Sequence, residues 1–370
     1  MKIIIIKDNL KNALNVVNEA SGENLNLPIL KNVLLETENG KIKVTATNLE
    51  IAISSFVSGK VIEDGKAAIP LSMFLNILNN LPSERLNIEL KKNILEIKTD
   101  NYEATVQCLP VEEFPIIPKI KNKTGELEIK SEVLKEGLSC VLSAAQFSDL
   151  RPELNSVLFN FSVDDFKITA TDSFRLAEKT IPSSQLKAVA DQIFKILIPL
   201  KTAQKLIRIL KEEDLLNISH DGSQVLFTTA SFEFISRLIE GNFPEYEHLI
   251  PKKFDSEVLI EKEEMINALK LTGVFSEKTN EIKIKIPESK KNIEITSVSQ
   301  GVGENAYILS AKIQGKLNEI NFNWKYFIDG LKALKTKEVW MGINEVASKP
   351  TVIKSPSDAS YFYILMPIIK

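Results

Sequence analysis

The chain has 370 residues, long enough for two or three domains that each bury a core. Apolar residues make up 44% and charged residues 26%, with a formal charge of −3. That is the composition of an ordinary globular protein, and it excludes a disordered chain and a binder recognisable by net basicity. How the charge is distributed is a separate question. Cys108 and Cys140 both lie in apolar-periodic segments and are expected to be buried free thiols in a reducing compartment. The apolar run in Met1–Lys7 is too short for a secretion signal or a membrane span, so a cytoplasmic location is expected.

Residues 2–6 read as a strand, and Lys7-Asp8-Asn9 leads into a helix reaching about Ala20, with Leu10, Ala13, Leu14 and Val17 at helical spacing. Strands follow at 32–37, 41–47 and 51–57, parted by turn formers such as Asn39-Gly40. Ile69–Leu81 reads as a helix with proline in its first turn. Strands at 86–90, 94–98 and 104–109 close this unit, and the run from Glu112 to Thr124 reads as a linker.

A second pass repeats the order: a strand at 125–130, a helix at about 131–147, then strands near 156–161 and through Phe166–Ala177. Ile198–Leu210 overlays Ile69–Leu81 down to its opening Ile-Pro-Leu, and strands near 216–219, 225–229 and 232–239 lead to Phe243-Pro244, the counterpart of Phe114-Pro115. A third pass has a strand near Ser256, a helix at about 262–275, strands at 281–286 and 293–298, a helix at about 323–334, and the closing Tyr361–Lys370.

The clearest sign of repetition is Ile42-Lys-Val-Thr-Ala-Thr-Asn48 against Phe166-Lys-Ile-Thr-Ala-Thr-Asp172, with a faint third copy at Ile293–Ser299, a period of roughly 125 residues. One module is therefore expected three times, at 1–122, 123–252 and 253–370, each with two helices on predominantly antiparallel strands in an α+β arrangement.

The helix near 200–213 turns Ala203, Leu206, Ile207 and Leu210 to one side and Lys201, Gln204, Lys205, Arg208 and Lys211 to the other. In the third module Lys325, Lys332 and Lys335 face away from the apolar stripe, and the first helix offers Lys7 and Lys11. Such stripes are either solubilising faces or, if the modules curve and gather their helices on a concave side, a cationic lining for phosphates. The pattern is uneven: Ser72, Asn76, Asn79 and Asn80 are neutral, and Glu132 and Glu136 oppose it.

Catalytic signals are weak. The two histidines, His220 and His248, have no metal-ligand spacing, and no phosphate-binding glycine loop, nucleophile elbow or dinucleotide fingerprint is present. Asp172-Ser173 has no identifiable base, and the sister copy replaces it with Asn48-Leu49. Neither enzymatic activity nor a cofactor is expected.

Taken in order, Leu27-Pro-Ile-Leu30 with Asn32, Thr45–Glu50, Arg151-Pro152 with Leu154, Val157-Leu-Phe159, Ala170–Ala177, Phe243-Pro-Glu-Tyr246 and Leu365-Met-Pro367 resemble the bacterial DNA polymerase III β subunit family, the sliding clamps, over essentially the whole chain. The resemblance implies a head-to-tail homodimeric ring around duplex DNA that tethers the replicative polymerase, is opened by an ATP-driven clamp loader and does no chemistry itself. It also implies a peptide pocket for polymerase and loader subunits at Leu154, Thr171, Ser173, Phe174, Arg175, Leu176, Pro244, His248, Leu249, Ile364, Met366, Pro367 and Ile368. DNA contact carries over to Asn24, Lys201, Lys205 and Lys332, and subunit contact to Ala104 and Val106 against Val274 and Phe275 of a second copy. Three departures stand out: Ser173-Phe174 where the family often has Gly-His, Ile369 in place of a basic residue, and Ser72-Met73 in place of a basic pair. The rival readings are an open scaffold that binds peptides without encircling DNA, and an enzyme on the same repeat.

Overall fold

The computed structural model describes residues 1–22, 26–148, 150–188, 193–287, 291–316, 319–346 and 348–369. Among them are six α-helices: α1 (Lys7–Asn18), α2 (Leu71–Asn80), α3 (Ser131–Val141), α4 (Leu200–Ile209), α5 (Lys262–Gly273) and α6 (Trp324–Lys332). They fall two to each module, and the strands pair antiparallel throughout the sheet ladders of all three. The α+β class expected from the repeat is what the chain adopts.

Packing divides the chain into two compact units. The first takes Met1–Ser131 and Arg208–Leu238 with a short segment from Lys187, and it holds a five-stranded and a nine-stranded sheet. The second takes Glu132–Leu186, Ile193–Ile207 and Ile239–Lys370, with a nine-stranded and a four-stranded sheet. In the first unit Ile51–Val57 pairs with Phe232–Arg237, and in the second Arg175–Pro182 pairs with Tyr361–Leu365, so each nine-stranded sheet is shared between consecutive modules.

The repeat hairpins owe their form to side chains that mimic backbone. Asn48 Oδ1 accepts the amides of Glu50 and Ile51 at 3.0 and 2.9 Å, and Asp172 Oδ1 accepts those of Phe174 and Arg175, both at 2.9 Å. The preceding threonines donate across the turn, Thr47 to Ile51 O at 2.8 Å and Thr171 to Arg175 O at 2.7 Å. This geometry places Leu49 and Ser173 at the same φ of 77°, a left-handed backbone that glycine would adopt more easily. The third copy has no such side chain. Its hairpin, Asn292–Ser299 with Gly303–Ser310, turns through Gly301 at φ 88° instead.

Helix ends follow local chemistry. The Ile-Pro pairs end strands rather than open helices: Gly65–Pro70 and Phe194–Pro199 are strands, and α2 and α4 begin one residue later. Glu261 caps α5 through Glu264 N at 2.7 Å, and Asn323 caps α6 through Lys325 N and Tyr326 N. Lys7 Nζ donates to Leu81 O and Lys262 Nζ to Leu334 O, each at 3.0 Å, so the first helix of two modules places a cation on the end of the second. Helix α3 stops at Val141 and gives way to a tighter turn at Leu142–Ala144, short of the expected Phe147. Strands at Gly59–Glu63, Gly303–Ser310, Lys312–Gly315, Ile320–Asn323, Glu338–Ile343 and Thr351–Lys354 have no counterpart in the sequence reading.

Candidate partner-binding and nucleic-acid-facing sites

Segments far apart in the chain meet around the Asp172 turn in the second unit. The C-terminal strand pairs with the strand leaving that turn, setting Leu365 opposite Arg175 and Ile364 opposite Leu176. Just beyond it, Met366 N donates to Phe174 O at 2.8 Å and Ile368 N to Asn321 O at 2.8 Å. Arg151 Nη1 donates to Ser173 Oγ at 3.2 Å, and Leu154 N bonds Arg151 O, which draws the Pro152–Leu154 turn to the same place.

The expected pocket residues then divide by exposure. Leu154, Leu176 and Ile364 are 5% exposed, and the last two pack with Leu158, Leu197, Phe243, Tyr246 and Val352. They are core residues and form a floor. Thr171 and Pro367 are also buried, while Pro244, Met366 and Ile368 are half-buried. Ser173, Phe174, His248 and Leu249 are exposed, Phe174 at 61% and Leu249 at 55%, so the outermost apolar groups are those two.

Arg175 is largely buried at this place. Its side chain is 11% exposed, its Nε donates to Asp172 Oδ2 at 2.9 Å and its Nη1 to Asp329 Oδ2 at 2.5 Å. The guanidinium also lies 4.0 Å from the centre of the Tyr326 ring. Its Nε and Nη1 are thus engaged inside the protein, fixing the turn to α6. Gly330 belongs to this arrangement, because a Cβ there would clash with the Tyr363 ring. Asp329 and Tyr326 were not singled out by sequence; they lie three residues apart on one side of α6, off the apolar stripe of Phe327, Ile328 and Leu331.

On the opposite face of the sheet, Tyr246 is 5% exposed and its hydroxyl bonds Thr169 Oγ1 at 3.1 Å and the Glu178 carboxylate. Burial pushes the Glu178 carboxyl above its usual range against the lowering effect of the Tyr246 hydroxyl, and burial next to that carboxylate raises Tyr246 as well. This pair pins the Phe243–Tyr246 segment, and with it the neighbouring His248 and Leu249, onto the sheet.

The lysine stripes are only partly available. Lys201 and Lys332 are exposed, and Lys201 Nζ stands 5.7 Å from the Phe147 ring centre. Lys205 is half-buried and has a partner. Lys335 forms a surface ion pair with Glu136 at 2.8 Å while its side chain stays largely exposed, and Lys7 Nζ is held on the end of α2. Asn24 lies outside the described residues.

Of the expected subunit-contact residues, Ala104 and Val106 lie on Glu103–Gln107, the edge strand of the five-stranded sheet, but the Val106 side chain is only 2% exposed and points into the core. That position can meet a partner only through its backbone. In the second unit, Val274 is 72% exposed and Phe275 half-buried after α5, and Gly303–Ser310 is an edge strand.

A helix pair on antiparallel strands, built three times with sheets shared between consecutive modules, is the architecture of a DNA clamp. The N-terminal, central and C-terminal domains of the DNA polymerase III beta subunit match residues 1–118, 128–245 and 247–369. The chain belongs to the DNA polymerase III beta subunit family. It is similar to the beta sliding clamps of a Synechocystis species and of Bacillus subtilis, 26% identical in each case over all of this chain and 99% of the relative. The crystal structure of the Bacillus subtilis DNA polymerase sliding clamp is also 26% identical and covers 100% of this chain and 99% of that one, with a TM-score of 0.93.

Proposed function

We propose that this protein is a sliding clamp in which two copies join head to tail into a ring around duplex DNA and tether the replicative polymerase. The modules run over 1–122, 123–252 and 253–370. The observation that carries this reading is the full-length match to a sliding clamp fold across all three modules. The work is mechanical and needs no reacting group: a topological link keeps the polymerase at high local concentration while the contacts with DNA stay weak enough to slide. Among the described residues no cluster of His, Cys, Asp or Glu could hold a metal ion, and no helix is long and apolar enough to cross a membrane.

Lys201, Lys205 and Lys332 contact phosphates by charge without reading bases. The surface around Phe174, His248, Leu249 and Met366, over the floor of Leu154, Leu176 and Ile364, takes a short apolar peptide from the polymerase or the clamp loader. With Phe174 exposed at 61%, the peptide meets an aromatic ring, which favours apolar over acidic anchors. The subunits join by pairing of Glu103–Gln107 with Gly303–Ser310 of a second copy, with Val274 at the joint.

The test is topological. The protein is loaded onto nicked circular DNA, freed of excess by gel filtration, and the DNA is then cut once. Retention on the circle and release on linearisation are expected; equal retention before and after cutting, or none on the circle, overturns the encircling ring.

A further inference from the structure

The first module has an open groove beside the place that the second module fills with its own tyrosine; Thr45 and Ser54 themselves are buried there. The two repeat hairpins correspond residue for residue, with Thr45 facing Ser54 in the first and Thr169 facing Glu178 in the second. In the second module Tyr246, three residues after Phe243, inserts there and bonds both Thr169 and Glu178. In the first module the residue three after Phe114 is Ile117, which has no hydroxyl and stays half-buried, and the Thr45 and Ser54 hydroxyls bond each other at 2.9 Å. A cavity of about 660 Å³ lies next to this pair, lined by Leu34, Thr45, Phe56, Phe114 and Ile117 among others. That volume lies in the range of natural ligand sites, and the apolar wall is what an aromatic ring needs.

The rim is cationic. Lys41, Lys43, Lys66 and Lys119 border the groove against Glu36 and Glu38. Lys66 is paired with Glu36 at 2.6 Å and Lys43 with Glu233 at 3.7 Å, whereas Lys41 and Lys119 are exposed and form no ion pair among the described residues. The segment that fills the sister site reads Glu245-Tyr246-Glu247, an aromatic residue between two acids. The chain therefore contains a template for the chemistry the empty groove lacks.

We propose that the groove of the first module docks a segment of a partner protein in which an aromatic residue is flanked by acidic residues. The ring enters between Phe56, Phe114 and Ile117, and the flanking carboxylates reach Lys41 and Lys119. This site is separate from the surface around Phe174 and Met366 and does not rest on it.

The experiment uses a fluorescein-labelled peptide with the sequence of residues 241–250, titrated with the full-length protein and read by fluorescence anisotropy. Saturable binding that weakens with added salt is expected, and replacing the peptide tyrosine by alanine should cost at least about tenfold in affinity. Lys41→Glu with Lys119→Glu should cost about as much at low salt. Ile117→Tyr, which fills the groove from within, should also abolish binding, and thermal melts check that the variants stay folded. Met366→Ala should leave affinity unchanged. The proposal fails if the peptide does not bind, if it binds equally to both groove variants, or if Met366→Ala alone removes binding. It fails too if free p-cresol competes as well as the unlabelled peptide, which would make the groove a small-molecule site. Self-association of the chain that the lysine reversals abolish, without peptide binding, would reassign the groove to a second copy and overturn it as well.

Discussion

Arg175 and Asp329, 154 residues apart in the chain, share a hydrogen-bonded ion pair of 2.5 Å, and Asp172 binds the same guanidinium at 2.9 Å. Asp172 is 1% exposed and depends on Arg175 for its charge balance. Arg175, expected at the peptide pocket, is also the rivet between the repeat turn of the second module and α6 of the third.

Arg175→Ala should therefore act first on stability. Removing one member of a buried pair leaves an uncompensated carboxylate, at a cost of about 3 kcal/mol. Urea unfolding followed by circular dichroism should show a lower midpoint with an unchanged slope. Arg175→Lys should recover part of the loss, because an ammonium cannot serve two carboxylates and stack on Tyr326 together. A midpoint equal to wild type for Arg175→Ala would remove the rivet role.

Peptide capture is better tested at groups that face outward. Phe174→Ala with Met366→Ala should weaken a polymerase-derived peptide by roughly tenfold or more, as the loss of apolar anchors does, while the unfolding free energy stays within about 0.5 kcal/mol of wild type. Isothermal titration gives the affinity. Unchanged affinity would detach this surface from peptide binding.

Lys201→Glu with Lys205→Glu should shorten retention on circular DNA, most at low salt. Each lost phosphate contact lowers the slope of log affinity against log salt by roughly one. Retention times measured at several salt concentrations decide it, and parallel curves for wild type and variant would exclude both lysines from the DNA face.

Glu178 gives a pH prediction with a defined sign. Burial raises its folded pKa above the ordinary value near 4.5, so the folded state holds its proton to higher pH than the unfolded chain does. Stability is then favoured at low pH by this group and declines as pH rises from 4.5 through the raised folded value, above which the full cost persists. Glu178→Gln keeps an acceptor for the Tyr246 hydroxyl and removes the charge. It should flatten that decline and leave the variant at least as stable as wild type at pH 7. Unfolding free energies measured from pH 4.5 to 7 test this, and parallel profiles for the two proteins would exclude Glu178 as the source of the slope.

The recurring turns were legible because they are local. Thr-Ala-Thr followed by Asn48 or Asp172 carries its own hydrogen-bond acceptors, so the strand, the turn and the return strand could be read from a dozen residues. The six helices were legible from apolar spacing, and the two free, buried cysteines from their apolar surroundings. Short strands such as Lys312–Gly315 were not, because four residues carry too little periodicity to separate a strand from a loop. Nor could charge alone show which lysines were free: Lys7 and Lys335 read like Lys201 in sequence, yet they are held by Leu81 O and Glu136.

By itself the sequence determined a module made three times, its helix faces and its turn chemistry, since each of these rests on residues a few positions apart. Only the tertiary structure decided that Ile51–Val57 pairs with Phe232–Arg237 and Arg175–Pro182 with Tyr361–Leu365, joining consecutive modules through common sheets. It also decided that Arg175 pairs with Asp172 and Asp329, and that Tyr246 bonds Thr169 and Glu178 where Thr45 and Ser54 bond each other. Strand partners and ion-pair partners are chosen by which edges and charges folding brings within a few ångströms, and spacing along the chain does not encode that distance.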